Sequence, residues 1–188
     1  MRCALIMGLA GVLGLTAASA ADVMVVSDAT WKVTNPAPPT GWNSDVDFDD
    51  SGWGNAVENP SNHNIWMISL QSASGPNQVW ARKVFNLSAP VASAVGHFGF
   101  DDNGQLYLNG HLLIDDTGGG ATVFNNFVID PSFFVVGDNL IAMHGIDTIA
   151  PFNSLNAQLP ITLVPEPACA WLLAASAVGL LARARKRG

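Results

Sequence analysis

Between Ala21 and Val164 the chain has no cysteine, because its only two, Cys3 and Cys169, lie outside that stretch. The segment therefore has no disulfide and no thiolate metal ligand, and its stability rests on its core alone. Basic residues are nearly as scarce. Lys32, Arg82 and Lys83 stand against fourteen aspartates and glutamates, a balance of −11 with the histidines neutral. So acidic a surface repels nucleic-acid phosphates and anionic lipid headgroups, which excludes nucleic acid as a partner and leaves neutral sugars or divalent cations. Apolar runs of helical length are missing as well. Internal repeats and low-complexity tracts are absent, so residues 21–164 read as one domain of ordinary size.

The long apolar runs are at the two ends. Arg2 precedes an apolar run from Cys3 to Leu15, followed by Ala18-Ser19-Ala20. A positive start, an apolar stretch and a small-x-small site predict a secretory signal peptide over 1–20, cleaved by signal peptidase after Ala20. The run is shorter than the roughly 20 apolar residues that span a bilayer. At the other end Pro165-Glu166-Pro167 precedes an apolar run from Cys169 to Ala182 and then Arg183-Ala184-Arg185-Lys186-Arg187. As a helix of about 1.5 Å rise per residue, that run is short for a permanent span. The basic cluster is expected to stay cytoplasmic, placing the tripeptide just outside the membrane. Two prolines keep the tripeptide extended and non-helical.

These three parts in this order resemble the PEP-CTERM sorting signal of Gram-negative bacteria that make extracellular polysaccharide. The resemblance covers 165–188. It implies processing by an exosortase at or near Pro165, Glu166 and Pro167, after transient anchoring through a short C-terminal transmembrane helix. It also implies delivery to the cell surface or extracellular matrix, where exopolysaccharide is a candidate partner. An ordinary anchor that stays attached is the alternative.

Residues 21–164 are cut by frequent turn formers, among them Asn35-Pro36, Asn59-Pro60, Asn109-Gly110, Gly118-Gly119-Gly120 and Asp130-Pro131. Short segments rich in Val, Ile, Phe and Trp lie between them, a rhythm that predicts an all-β sandwich or barrel of about eight strands. Leu155, Ala157, Leu159, Ile161 and Leu163 alternate with polar residues, so one strand buries one face. Pro160 falls on its polar face and suits an edge position. Val79, Ala81, Phe85 and Leu87 share parity, with Arg82 and Asn86 pointing the other way. Asn109-Gly110 between two apolar runs predicts a type I′ hairpin, which needs positive φ at both central residues. Pro36 to Pro60 has little β character and reads as a long, acidic, Trp-bearing loop.

Phe48-Asp49-Asp50-Ser51-Gly52-Trp53, Val79 to Phe85, Phe100-Asp101-Asp102, Leu106 to Gly110 and Gly137 to Ala142 follow one another in order. The series is similar to the galactose-binding-like jelly-roll sandwich of carbohydrate-binding modules and of domains beside glycosidase barrels. That resemblance implies a single jelly-roll-like sandwich over 21–164. Sugar binding would then use an aromatic platform and a few polar groups, and Trp42 with Asn43 or Asp45 in the loop is the candidate set.

Asp45, Asp47 and Asp49 alternate, as oxygen ligands of Ca2+ in a flexible loop often do. The run departs from an EF-hand, with Asp50 where that loop needs Gly and Ala56 where it needs Glu. Aspartates also organise turns by accepting from nearby backbone N–H groups, and that reading is preferred. His63, His97, His111 and His144 lack metal-ligand spacing and read as satisfied structural residues. No nucleophile-elbow, P-loop or dinucleotide fingerprint is present. The expected role is a non-catalytic, exported surface or matrix protein that binds a glycan. The alternatives are a structural matrix protein without a small ligand and, behind it, an exported glycosidase.

Overall fold

Leu155, Ala157, Leu159, Ile161 and Leu163 are all at most 2% exposed. They form the inner face of the last strand in a computed structural model that describes residues 22–67, 77–149 and 152–165. The strands are β1 (Asp22–Val26), β2 (Lys32–Thr34), β3 (Gly54–Asn55), β4 (Val57–Asn59), β5 (Asn64–Trp66) and β6 (Gln78–Leu87). They continue with β7 (Val91–Asp101), β8 (Asn103–Leu108), β9 (His111–Asp116), β10 (Thr122–Ile129), β11 (Gly137–Ile146) and β12 (Ser154–Leu163). Eight have five residues or more. The other four, β2 to β5, have two or three each, and two of them fall in the stretch whose sequence carries little β signal. The irregular segment is thus shorter than expected, because β3 and β4 lie within 36–60.

The strands form two antiparallel sheets packed as an all-β sandwich. The first sheet runs β10-β7-β12-β5-β4, with β1 also paired to β12. The second runs β3-β2-β6-β11-β8-β9. The core between them holds Trp31, Trp66, Phe98, Phe100, Leu106 and Ile141, all 2% exposed or less. Trp66, which the sequence places beside the irregular region, is a core residue. The chain passes from the first sheet to the second at Asp102, where β7 gives way to β8. Gly104 permits that corner: a Cβ there would lie 1.9 Å from the Phe100 ring.

The β8–β9 hairpin turns at Asn109 (φ 49°) and Gly110 (φ 84°), as a type I′ turn requires. The Asn109 side chain also ties the hairpin to β11. Its Nδ2 donates to Asn139 Oδ1 and its Oδ1 accepts from Leu140 N, both at 2.8 Å. Asn139 is fully buried, and its own Nδ2 donates to the Val135 and Gly137 carbonyls. A buried amide is tolerated where it is bonded in this way.

Pro160 lies in the interior of the first sheet, not at an edge. Opposite it on one side is Met24 of β1. On the other side the pairing with β7 runs to Gln158↔His97 and resumes at Ile161↔Ala94. The ladder is therefore interrupted across the residue that has no N–H to give. One edge strand of this sheet is β10, whose pairing with β7 is broken by an irregularity between Phe124 and Phe127. Asn126 there adopts φ 54°. Irregularities of this kind make an edge a poor template for further strands.

Among the described residues no helix is long and apolar enough to cross a membrane. The expected signal peptide with Ala20, and the expected sorting segment from Glu166 and Pro167 onward, lie outside the described residues. Pro165 is exposed.

Candidate functional site

Arg82 does not face solvent. It sits on the outer face of the second sheet and is 1% exposed, because the segment between β2 and β3 folds over it. Nη1 donates to the Phe48 carbonyl at 3.1 Å and to Asp50 Oδ2 at 2.6 Å, and Nη2 donates to the Asp45 carbonyl at 2.7 Å. The guanidinium also lies 5.2 Å from the centre of the Phe48 ring. One cation thus neutralises a loop carboxylate and satisfies two loop carbonyls, which a buried charge requires.

The acidic loop is organised largely by itself. Asp45 Oδ1 accepts from Asp47 N at 2.9 Å, and Asp49 Oδ1 accepts from Ser51 N at 3.1 Å. These are the Asx-type turns that alternating aspartates can build. The Ser51 bonds hold the Asp49 carboxyl below the usual aspartate range. Among the described residues no three His, Cys, Asp or Glu side chains converge to hold a metal, so Asp45, Asp47 and Asp49 are not gathered into a ligand cluster.

Where the loop meets β6, a cavity of about 480 Å³ is lined by Lys32, Arg82 and Lys83 together with Thr30, Asp47 and Asp50. All three basic residues of 21–164 converge on it, and each is already engaged. Lys83 pairs with Asp28 at 2.9 Å, Arg82 with Asp50, and Lys32 donates to Asn55 Oδ1 at 3.0 Å. Burial alone would raise the Asp28 carboxyl, but Thr30 and Lys83 together pull it below the ordinary value.

Two cross-strand rows shape the rest of this face. Register places Tyr107, Ala142, Arg82 and Lys32 side by side in one row, and Gln105, His144, Trp80 and Thr34 in the next. The loop covers the first row and brings Trp42 edge-to-face onto Tyr107, with ring centres 5.7 Å apart. The Tyr107 hydroxyl donates to Gln105 Oε1 at 2.8 Å, and Gln105 Nε2 donates to Asp115 Oδ1 at 3.0 Å. Desolvation, and then the Asp115 charge, push the Tyr107 hydroxyl above its ordinary pKa. Trp42, Asn43, Tyr107 and Gln105 are half-buried, while Asp115 is open to solvent. The arrangement offers aromatic surface beside a polar relay ending in a carboxylate.

His144 stacks on Trp80 with centres 4.4 Å apart and rings nearly parallel at 8°. Its Nε2 is buried without a hydrogen-bond partner, so it is not the satisfied histidine the sequence led us to expect. Desolvation lowers its pKa, which keeps the ring neutral near pH 7. The other three histidines have neighbours: His63 lies 3.1 Å from Glu58, His97 2.6 Å from Asn125, and His111 stacks on Phe133.

The structure therefore sets Trp42 against Tyr107, which is linked through Gln105 to Asp115, with His144 opposite Gln105; the sequence reading selected none of these partners. A signal for Tyr107 and Gln105 was present in their shared strand parity. A regular hairpin about Asn109-Gly110 would set Ile114 opposite Gln105, and the irregularity between Leu106 and Tyr107 is what brings Asp115 there. Asp45 contributes its carbonyl to Arg82 and one carboxylate oxygen to its own turn.

No protein family matches the sequence, and no curated protein sequence matches it. Solved structures with a similar sandwich include a calcium-binding mutant of Bacteroides uniformis beta-glucuronidase 2, at 18% identity and TM-score 0.49. The alignment covers 75% of this chain and 18% of that one. A glycosyl hydrolase family 2 member from Bacteroides cellulosilyticus matches at 18% identity and TM-score 0.48, over 73% of this chain and 20% of that one. A beta-glucuronidase from glycoside hydrolase family 2 matches at 16% identity and TM-score 0.49, over 78% and 18%. The chain spans at most 20% of the length of these three structures, and such a likeness assigns no activity.

Proposed function

We propose that this chain is an exported, exosortase-sorted and non-catalytic protein of the bacterial surface or extracellular matrix. Its sandwich binds a glycan on the outer face of the second sheet. The observation that carries the binding reading is Trp42 held against Tyr107 beside the Gln105–Asp115 relay. An indole and a phenol offer apolar surface to the C–H face of a sugar ring, while the amide and carboxylate bond its hydroxyls. Few contacts and the displacement of ordered water make such binding weak. Asn43, half-buried next to the indole, is a further hydroxyl partner. The strongly acidic domain favours a neutral ligand over an anionic one.

Tyr107 is the sole tyrosine of the chain, so its ring signals report on this face alone. Titrating tyrosine-labelled protein with the producer's exopolysaccharide fragments should move those signals saturably in NMR spectra, and Trp42→Ala should remove the effect. Ring signals unmoved by any glycan would sink the binding reading. A structural matrix protein without a small ligand would then stand, a reading favoured by the bonds that Asp45, Asp49 and both terminal nitrogens of Arg82 already make within the fold.

A further inference from the structure

The opposite outer face, on the first sheet, carries a cleft rich in amides. Two adjoining cavities of about 340 and 230 Å³ share Asn62, Asn64, Asp101 and Ser154. Gln158 and Asn156 continue the wall along β12. Gln158 Nε2 lies 3.4 Å from Asn156 Oδ1, and Asn156 Nδ2 donates to the Asn62 carbonyl at 2.6 Å and to Asn64 Oδ1 at 3.2 Å. The wall is thus held in place by its own bonds.

Three features distinguish this cleft from an ordinary polar sheet surface. Its floor is Gly99, which stands between Val123 of β10 and Asn156 of β12 and leaves a gap where a side chain would project. A Cβ there would meet nothing closer than Asn156 Cβ at 3.5 Å, so packing does not demand the glycine. At one end Phe152 is 53% exposed beside Asn153. Asn153 is 1% exposed, yet neither Nδ2 nor Oδ1 has a hydrogen-bond partner. An unbonded buried amide costs about 1–3 kcal/mol, and a ligand hydroxyl, donor and acceptor at once, can answer both of its ends.

We propose that this cleft is a second saccharide site, selective for an uncharged sugar segment, with Asn153, Asn156 and Gln158 bonding hydroxyls and Phe152 covering a ring face. The selectivity follows from Asp101, the one carboxyl among the lining residues. A uronate or sulfated sugar would meet its charge without a lysine or arginine in the cleft to offset it. The two sites lie on opposite faces of one sandwich, so occupancy of both would let one molecule bridge two glycan strands. That consequence rests on the binding reading above; the cleft itself does not.

The test titrates the full chain with neutral cello-, malto- and galacto-oligosaccharides and with an oligogalacturonate, following the side-chain amide signals of Asn153, Asn156 and Gln158. At least one neutral series should shift them saturably, in the wild type and in Trp42→Ala alike, and the oligogalacturonate should not. Asn153→Ala should weaken that binding by about tenfold while leaving the melting temperature unchanged or higher, because an unbonded amide is removed. Gly99→Val, which fills the floor, should abolish it, with circular dichroism confirming the fold. Amide signals unmoved by every saccharide, shifts that vanish in Trp42→Ala, or equal response to the uronate would overturn the proposal. Movement of the Tyr107 signals without the amides would sink this site and leave the other standing.

Discussion

Arg82 Nη1 donates to Asp50 Oδ2 at 2.6 Å, joining the middle of a central strand to a loop 32 residues away in sequence. Arg82 is 1% exposed on its side chain and Asp50 26%, so the bond is shielded at one end and open at the other. Arg82→Leu keeps the strand but strands the Asp45 and Phe48 carbonyls and the Asp50 carboxylate. We expect a loss of about 3 kcal/mol in urea unfolding, the range found when one partner of a buried pair is removed. Asp50→Asn should cost less, because the two carbonyl bonds to Arg82 survive it. Equal effects of the two changes would show that the ion pair, not the carbonyls, fixes the loop.

His144 makes stability depend on pH near neutrality. Its folded pKa is lowered by desolvation, so the unfolded chain takes up a proton near the ordinary histidine value of about 6.5 while the folded chain resists. Stability from this group is fully present above that value and declines as pH falls toward the folded pKa. His144→Phe retains the stack on Trp80 without a titratable ring, and should flatten the decline between about pH 7 and 5. Thermal unfolding across that range checks it. Curves that stay parallel for wild type and variant would place the pH dependence on another group.

The β12 alternation and the Asn109-Gly110 hairpin were legible in the sequence because each depends on local chemistry. Period two sorts Leu155 through Leu163 onto one face, and only certain residues take positive φ at a type I′ turn. The burial of Arg82 was not legible, for the opposite reason. Strand parity places it outside the core correctly, but parity says nothing about a loop arriving from 45–50 to cover it. Pro160 follows the same logic, since a missing N–H can fall at a gap in an interior ladder as well as at an edge. The amides of the first-sheet cleft come from 62–64 and 153–158 and meet only through the Asn64↔Asn156 pairing. Pairing partners are set by topology, which no single segment encodes. The density of Asn in both segments was the one hint available.

Calcium should have little effect on stability. Binding would need six to eight oxygens, and in this loop Asp45 Oδ1 and Asp49 Oδ1 already accept from backbone N–H groups while the Asp45 carbonyl is held by Arg82. An ion that binds only the folded state raises the melting temperature in proportion to its occupancy. We expect a small shift, equal for Ca2+ and Mg2+ and unaltered in Asp47→Ala. A large shift specific to Ca2+ and abolished by Asp47→Ala would show that the loop rearranges into a site.

The sorting tail carries the sharpest chemical expectation. Its apolar run, Cys169 to Ala182, is too short to span about 30 Å of hydrocarbon at 1.5 Å per residue even without tilt, unless the bilayer thins locally. On the proposed sorting, a segment so marginal would suit temporary residence, and the basic cluster behind it would fix which end stays inside. Pro165-Glu166-Pro167 would then be presented at the outer surface within reach of a processing enzyme. Intact-mass analysis of the protein recovered outside the cell should show a chain starting near Ala21 and lacking everything from about Cys169 onward. Replacing Pro165, Glu166 and Pro167 by alanine should leave the protein in the inner-membrane fraction, still carrying Arg183 to Gly188. A full-length species at the cell surface of the unaltered strain would instead identify the tail as a permanent anchor.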